Sequence, residues 1–142
     1  MDNEQNNLRE AEVRTWKNQP DFQKLKLGLV YMVNCHGSQF NDTWLHLGFQ
    51  TAIGSYGDNW MPEPMFTFFW TRFRNGETAQ DAAQKAWAAS RNLWQAIYRP
   101  ECKLVNIPQP PFIALSCEDN DKITESRPVV SGNPTLRITD EA

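Results

Sequence analysis

The stretch LGLVYMVNCHGSQF, Leu27 to Phe40, decides how the chain is read. Its first eight residues, LGLVYMVN, form a continuous apolar run rich in Val and aromatics, as expected of a strand buried on both faces in a parallel sheet. The run ends on Asn34, Cys35, His36 and Gly37, so the strand delivers a thiol to its carboxyl end. Neighbouring loops converge beyond the carboxyl ends of strands in open α/β sheets, and reactive groups collect there.

Working outward, NDTWLHLG offers Asn41 or Asp42 as an N-cap for a short helix stopped near Gly48. FQTAIGSYG then reads as a second buried strand running into a loop at Gly54, Ser55 and Tyr56. The order strand, helix, strand suits a right-handed parallel crossover. Between Pro64 and Asn75, Phe66, Phe69, Trp70 and Phe73 fall at i, i+3, i+4 and i+7, which predicts an amphipathic helix. Thr78 and Asp81 have capping-box-like spacing ahead of a long helix. One face of that helix carries Ala79, Ala82, Ala83, Ala86, Ser90, Leu93, Trp94 and Ile97.

Past Pro100 the texture changes. NIPQPP predicts a stiff extended connection, FIALS a strand and CEDNDK a polar turn, and Thr135 to Ile138 reads as a final edge strand. Upstream, Met1 to Gln19 holds a helical segment without a clean apolar stripe. The expected organisation is a polar N-terminal segment, 1–26, and an α/β domain, 27–142, with a mainly parallel sheet and flanking helices.

Composition excludes several classes. Six Trp, eight Phe and three Tyr among 40% apolar residues argue for a folded core rather than a disordered chain. A net charge of −3, with Lys and Arg scattered singly, offers no face for a phosphate backbone or an anionic bilayer. No segment approaches the ~18 apolar residues of a membrane span, and the acidic, polar start is unlike a signal peptide. The expectation is a soluble, cytoplasmic protein that binds neither nucleic acid nor membrane. Three cysteines without a C-x-x-C pair read as reduced thiols.

Cys35 has two readings. A nucleophilic cysteine needs exposure, a stabilised thiolate, a base and backbone N–H groups for an oxyanion; Gly37 would let the backbone turn and present its amides. The competing reading is a buried thiol at a strand end, the commoner fate of a free cysteine, and it fits Cys102 and Cys117 better still. His36 follows Cys35 directly, and in an extended backbone its imidazole points to the opposite face. His46, on the short helix, is the remaining candidate base if that helix folds back over the strand end. A zinc site from Cys35, His36, His46, Cys102 and Cys117 lacks recognised ligand spacing. Neither a metal nor a cofactor is expected. Asp58 reads either as part of an ordinary GDNW turn or as an anion selecting a cationic side chain, with Trp60 packing on that side chain's stem.

YMVNCHGS, LGFQTAIGSYGDNW and FWTRFRNGETAQDAAQKAW together resemble the C-terminal half of the caspase-like cysteine peptidases, the clan of caspases, gingipains, legumains and separases. The resemblance covers about residues 27 to 98. It implies that Cys35 is the nucleophile and that Ala52 to Tyr56 is the strand shaping the substrate pocket. SYGDNWMPEPM is similar to the gingipain pattern, which implies Ser55 and Trp60 beside the substrate side chain, with Tyr56 and Asp58 in the same loop. In that clan the catalytic histidine sits in a His-Gly motif on an earlier strand, and no histidine stands upstream of Cys35 here. The implied protein is a peptidase half whose base comes from a second chain, a further copy or a missing segment, acting on a peptide or protein substrate. The alternative is an inactive interaction module that keeps the sheet and has lost the chemistry.

Overall fold

The computed structural model describes residues 9–22, 27–98, 104–106, 108, 113–115 and 121–138. Helix α1 (Glu10–Thr15) continues into a single 3-10 turn, Trp16–Asn18. Strand β1 (Leu29–Tyr31) leads through a second 3-10 turn, Gly37–Phe40, into α2 (Asn41–Leu47), and β2 (Thr51–Ser55) follows. Helices α3 (Pro62–Arg74) and α4 (Ala79–Tyr98) come next. The remaining elements are β3 (Leu104–Asn106), β4 (Ile113–Leu115), α5 (Asp121–Glu125) and β5 (Pro128–Gly132).

The sheet order is β1-β2-β5, with β1 and β2 parallel in the register Val30–Ala52 and β2 and β5 antiparallel in the register Ile53–Val130. Strands β3 and β4 form a separate antiparallel pair. The fold is mixed helix and strand, and among the described residues the three-stranded sheet is itself mixed, with one parallel and one antiparallel pairing, where a mainly parallel sheet was expected. The expected β1–α2–β2 crossover is present. Strand β1 lies at a sheet edge among the described residues and is half-buried, rather than enclosed on both faces.

Side-chain alternation divides the sheet into two faces. Leu29, Tyr31, Ile53 and Val130 face α3 and α4, whose Met65, Phe69, Phe73, Ala79, Ala82, Ala83 and Ala86 are buried against them. The alanine face lets α4 lie close to α3, as its sequence implied. On the other face Trp44 of α2 donates its indole N–H to Met32 Sδ at 3.0 Å. Helix α1 docks on α2: Val13 is buried, Thr43 donates to Glu10 Oε1 at 2.6 Å, and the rings of Trp16 and Trp44 lie 6.2 Å apart. The Thr43 hydroxyl, and after it Arg14, hold the Glu10 carboxyl below its ordinary pKa.

Two expectations change. Thr135 to Ile138 is not a strand. Leu136 is instead fully buried in the α3–α4 core, and the carbonyls of Leu136 and Pro134 accept the Ala79 and Gln80 N–H groups at 2.8 and 3.0 Å. These are donors that the first turn of a helix leaves unpaired; the Asp81 N–H goes to Thr78 Oγ1 at 3.1 Å, the bond the capping spacing predicted. The strand lies just upstream, in RPVVSG. Asn41 is not an N-cap, because the 3-10 turn runs straight into α2. Its buried amide reaches β5 instead, donating to Val129 O at 3.1 Å and Ser131 Oγ at 3.0 Å. Helix α3 fits its expected start: within Pro62–Arg74 the backbone of Glu63 is extended (φ −120, ψ 141), so the regular turns run from Pro64, across a cis Glu63–Pro64 bond. The expected NIPQPP connection and CEDNDK turn fall largely outside the described residues.

Burial of the Tyr31 ring, with the Glu63 charge as a second cause, pushes its phenol above the ordinary value of about 10. The neutral form is therefore the one the fold favours. The stability this confers is complete below about pH 10 and is lost as pH rises above it, because the unfolded chain ionises first. Urea midpoints between pH 9 and 11 are expected to fall less steeply for Tyr31→Phe than for the wild type.

Candidate functional site

Three residues of the loop after β1, Val33, Asn34 and His36, are bonded to the end of β2 and the loop that follows it. Val33 O accepts from Asn59 Nδ2 at 3.0 Å, and Asn34 O accepts from Ser55 Oγ at 3.1 Å. The His36 N–H donates to Gly57 O at 2.8 Å, and His36 Nε2 meets Asp58 Oδ1 at 3.0 Å. The last pair is half-exposed, so its weight is geometric more than energetic. Cys35 sits inside this clamp with its own side chain exposed. It is therefore not the buried strand-end thiol of the competing reading.

The sharp turn after Cys35 is made by His36 and not by Gly37. His36 adopts φ 53 and ψ 28, the left-handed region that non-glycine residues rarely occupy and histidine tolerates better than most. This overturns the premise that placed its imidazole on the far face, since the backbone there is not extended. Gly37 has a different task. Its buried backbone passes against Gly54 of β2, and a Cβ on Gly54 would lie 2.7 Å from the Gly37 carbonyl oxygen and closer still to Gly37 C and Ser38 N. The pair of glycines lets the two strand ends approach backbone to backbone.

A third segment backs the second. Tyr56 and Gly57 donate their N–H groups to Arg127 O and Glu125 O at 2.9 and 2.8 Å. The Trp60 N–H goes to the buried Ser126 hydroxyl at 2.8 Å, and its indole N–H to Glu125 Oε2 at 3.0 Å. The Arg127 guanidinium lies 4.3 Å from the Tyr56 ring centre and the Lys122 ammonium 4.7 Å from that of Trp60. Tyr56 and Trp60 nevertheless keep 54% and 44% of their surface exposed, enough to meet a ligand. Lys122, Glu125 and Arg127 were not legible as site residues: they come from more than sixty positions along the chain, and only the β2–β5 pairing brings them in.

The structure thus brings Cys35, Tyr56, Asp58 and Trp60 to one end of the sheet and separates two other candidates from them. Ser55 is 3% exposed and its hydroxyl is taken up by the Asn34 and Gly57 carbonyls, so it supports the loop from within. His46 lies in the last turn of α2, where its carbonyl accepts from Lys17 Nζ at 3.0 Å. Two residues beyond Gly48, the Gln50 N–H pairs with Leu27 and Gly28 carbonyls at the amino end of β1. His46 and Cys35 are therefore at opposite ends of the crossover, because α2 must run back along the strands for β1 and β2 to be parallel. The helix does not fold over the strand end as the base role requires.

Among the described residues no group of three or more His, Cys, Asp and Glu could hold a metal ion. Cys102 and Cys117, the other thiols of the zinc reading, lie outside the described residues. No described helix is long and apolar enough to cross a membrane. The fold and site define a mixed helix-and-strand protein with an exposed thiol on a loop clamped at the carboxyl end of a parallel strand pair. Comparison with protein-family profiles, curated proteins and solved structures finds no match to the chain.

Proposed function

We propose that the chain is the nucleophile-bearing part of a caspase-like cysteine peptidase, with Cys35 as the attacking thiol and the base supplied by another polypeptide segment. The observation that carries this reading is an exposed cysteine at the carboxyl end of β1 whose flanking residues, 33, 34 and 36, are each bonded to the loop of the adjacent parallel strand. Such clamping holds a nucleophile in one place before substrate arrives. The Cys35 thiolate would attack a peptide carbonyl, forming a C–S bond and a tetrahedral oxyanion. Collapse expels the amine, which takes up a proton, and water then cleaves the acyl-enzyme to a carboxylate and the free thiol. Tyr56, Asp58 and Trp60 are the exposed groups that would meet the substrate side chain.

The chain has two histidines, one paired with Asp58 and one at the far end of α2. That arrangement is why the proposal takes its base from outside this chain, and it also favours the second reading, an inactive caspase-like interaction module. Alkylation of Cys35 followed against pH, each cysteine read separately by mass spectrometry, divides the two. A midpoint well below the ~8.5 of a free thiol supports the nucleophile. A rate no faster than those of Cys102 and Cys117 supports the module and shows that this chain by itself does not activate the thiol.

A further inference from the structure

We infer that the outer edge of β1 is an acceptor for one extended strand of a separate, basic polypeptide. In the parallel ladder, Gly28 O accepts from Thr51 N–H and Met32 N–H donates to Ile53 O. Alternation then points the N–H and C=O groups of Leu29 and Tyr31 away from β2, off the edge of the sheet. Only an extended backbone offers donors and acceptors at the matching two-residue repeat. The opposite edge of the sheet is blunted: Pro128 opens β5 and has no N–H to offer. Strand β1, Leu29–Tyr31, carries no proline.

The side chains beside that edge say what the incoming strand carries. Leu29, Tyr31 and Val33 share one face, and next to Tyr31 and Val33 a groove of ≈ 470 Å³ is walled by Pro62, Glu63 and Phe66. Val33 is 48% exposed, a large apolar side chain left uncovered at the end of the edge. Among the described residues Glu63 is the one charge lining the groove, and its Oε2 accepts from Thr67 of its own helix. An apolar residue in the groove and a Lys or Arg facing Glu63 satisfy both features. A second copy pairing through its own β1 does not, because Leu27 to Asn34 contains no Lys or Arg. The inference is independent of the chemistry of Cys35.

The test uses the full chain, isotopically labelled for NMR, and short capped peptides of alternating Val and Thr in which one Lys is walked through the positions. The expected result is slowing of amide exchange at Leu29 and Tyr31 by about tenfold or more at saturating peptide. One Lys register should bind up to about fivefold tighter than the same peptide with Glu at that position. That preference should vanish in Glu63→Gln and reverse in Glu63→Lys. The proposal is overturned if those two amides are not slowed, or if they are slowed with no dependence on where the Lys stands. It is equally overturned if concentrating the protein alone slows them as a dimer forms in sedimentation, since the occupant is then a second copy.

Discussion

Replacing Gly54 by Val is expected to cost about 3 kcal/mol or more, at or beyond the upper end for overpacking a core. Any Cβ at this position falls within 2.7 Å of the Gly37 carbonyl oxygen and closer to two further backbone atoms, so the neighbour that must move is main chain and not a flexible side chain. Position 54 is fully buried in the central strand of the sheet, paired with β1 on one side and β5 on the other, which leaves β2 no direction in which to retreat. The loop carrying Cys35 would be pushed off Ser55, Gly57 and Asn59 together. Urea denaturation should show the loss of stability, and Cys35 alkylation in whatever folded protein remains should lose the wild-type rate. A wild-type midpoint for Gly54→Val would mean that the two strand ends do not approach as described.

Phe69→Ala is expected to destabilise the protein by about 3–5 kcal/mol, a large part of the roughly 5–15 kcal/mol available to a domain. Phe69 is fully buried. Its ring centre lies 4.6 Å from that of Tyr31, 5.1 Å from Trp70 and 5.6 Å from Phe73, the last nearly parallel. It therefore joins β1 to the middle of α3, and truncation leaves a cavity that three aromatic rings cannot close without shifting. Trp70→Ala, at a half-buried position of the same helix, serves as the comparison and should cost less. Equal urea midpoints for the two variants would contradict the central place given to Phe69.

The two predictions mark where local pattern was informative. Phe69 was legible because α3 repeats its apolar residues at helical spacing, and the same logic found the alanine face of α4 and the Thr78–Asp81 cap. The helix runs through Tyr98 as expected, but its buried face does not follow the stripe to the end: Leu93 and Ile97 continue the stripe but are exposed, while Gln95, off the stripe, is buried. The strand in RPVVSG drew no expectation from the sequence, for a related reason. Proline in a strand is accepted at its first residue, at a bulge or on a sheet edge, and where a strand starts and whether it lies at an edge are not local properties. Thr135 to Ile138 has the alternation of a strand, but burial of Leu136 and the demand of α4 for acceptors at its first turn override that propensity.

For the site, sequence by itself determined that a cysteine follows a strand, that a glycine-bearing strand comes next, and that Tyr56, Asp58 and Trp60 lie in the loop beyond it. All of these follow from residues close along the chain, where apolar periodicity and turn chemistry act directly. Tertiary structure alone decided that His36, in the left-handed region, makes the turn and meets Asp58, that His46 is carried to the other end of the sheet, and that Lys122, Glu125 and Arg127 stand behind the loop. These depend on strand direction and on the approach of Gly37 to Gly54, contacts between segments distant in sequence, whose geometry exists only once the sheet has formed.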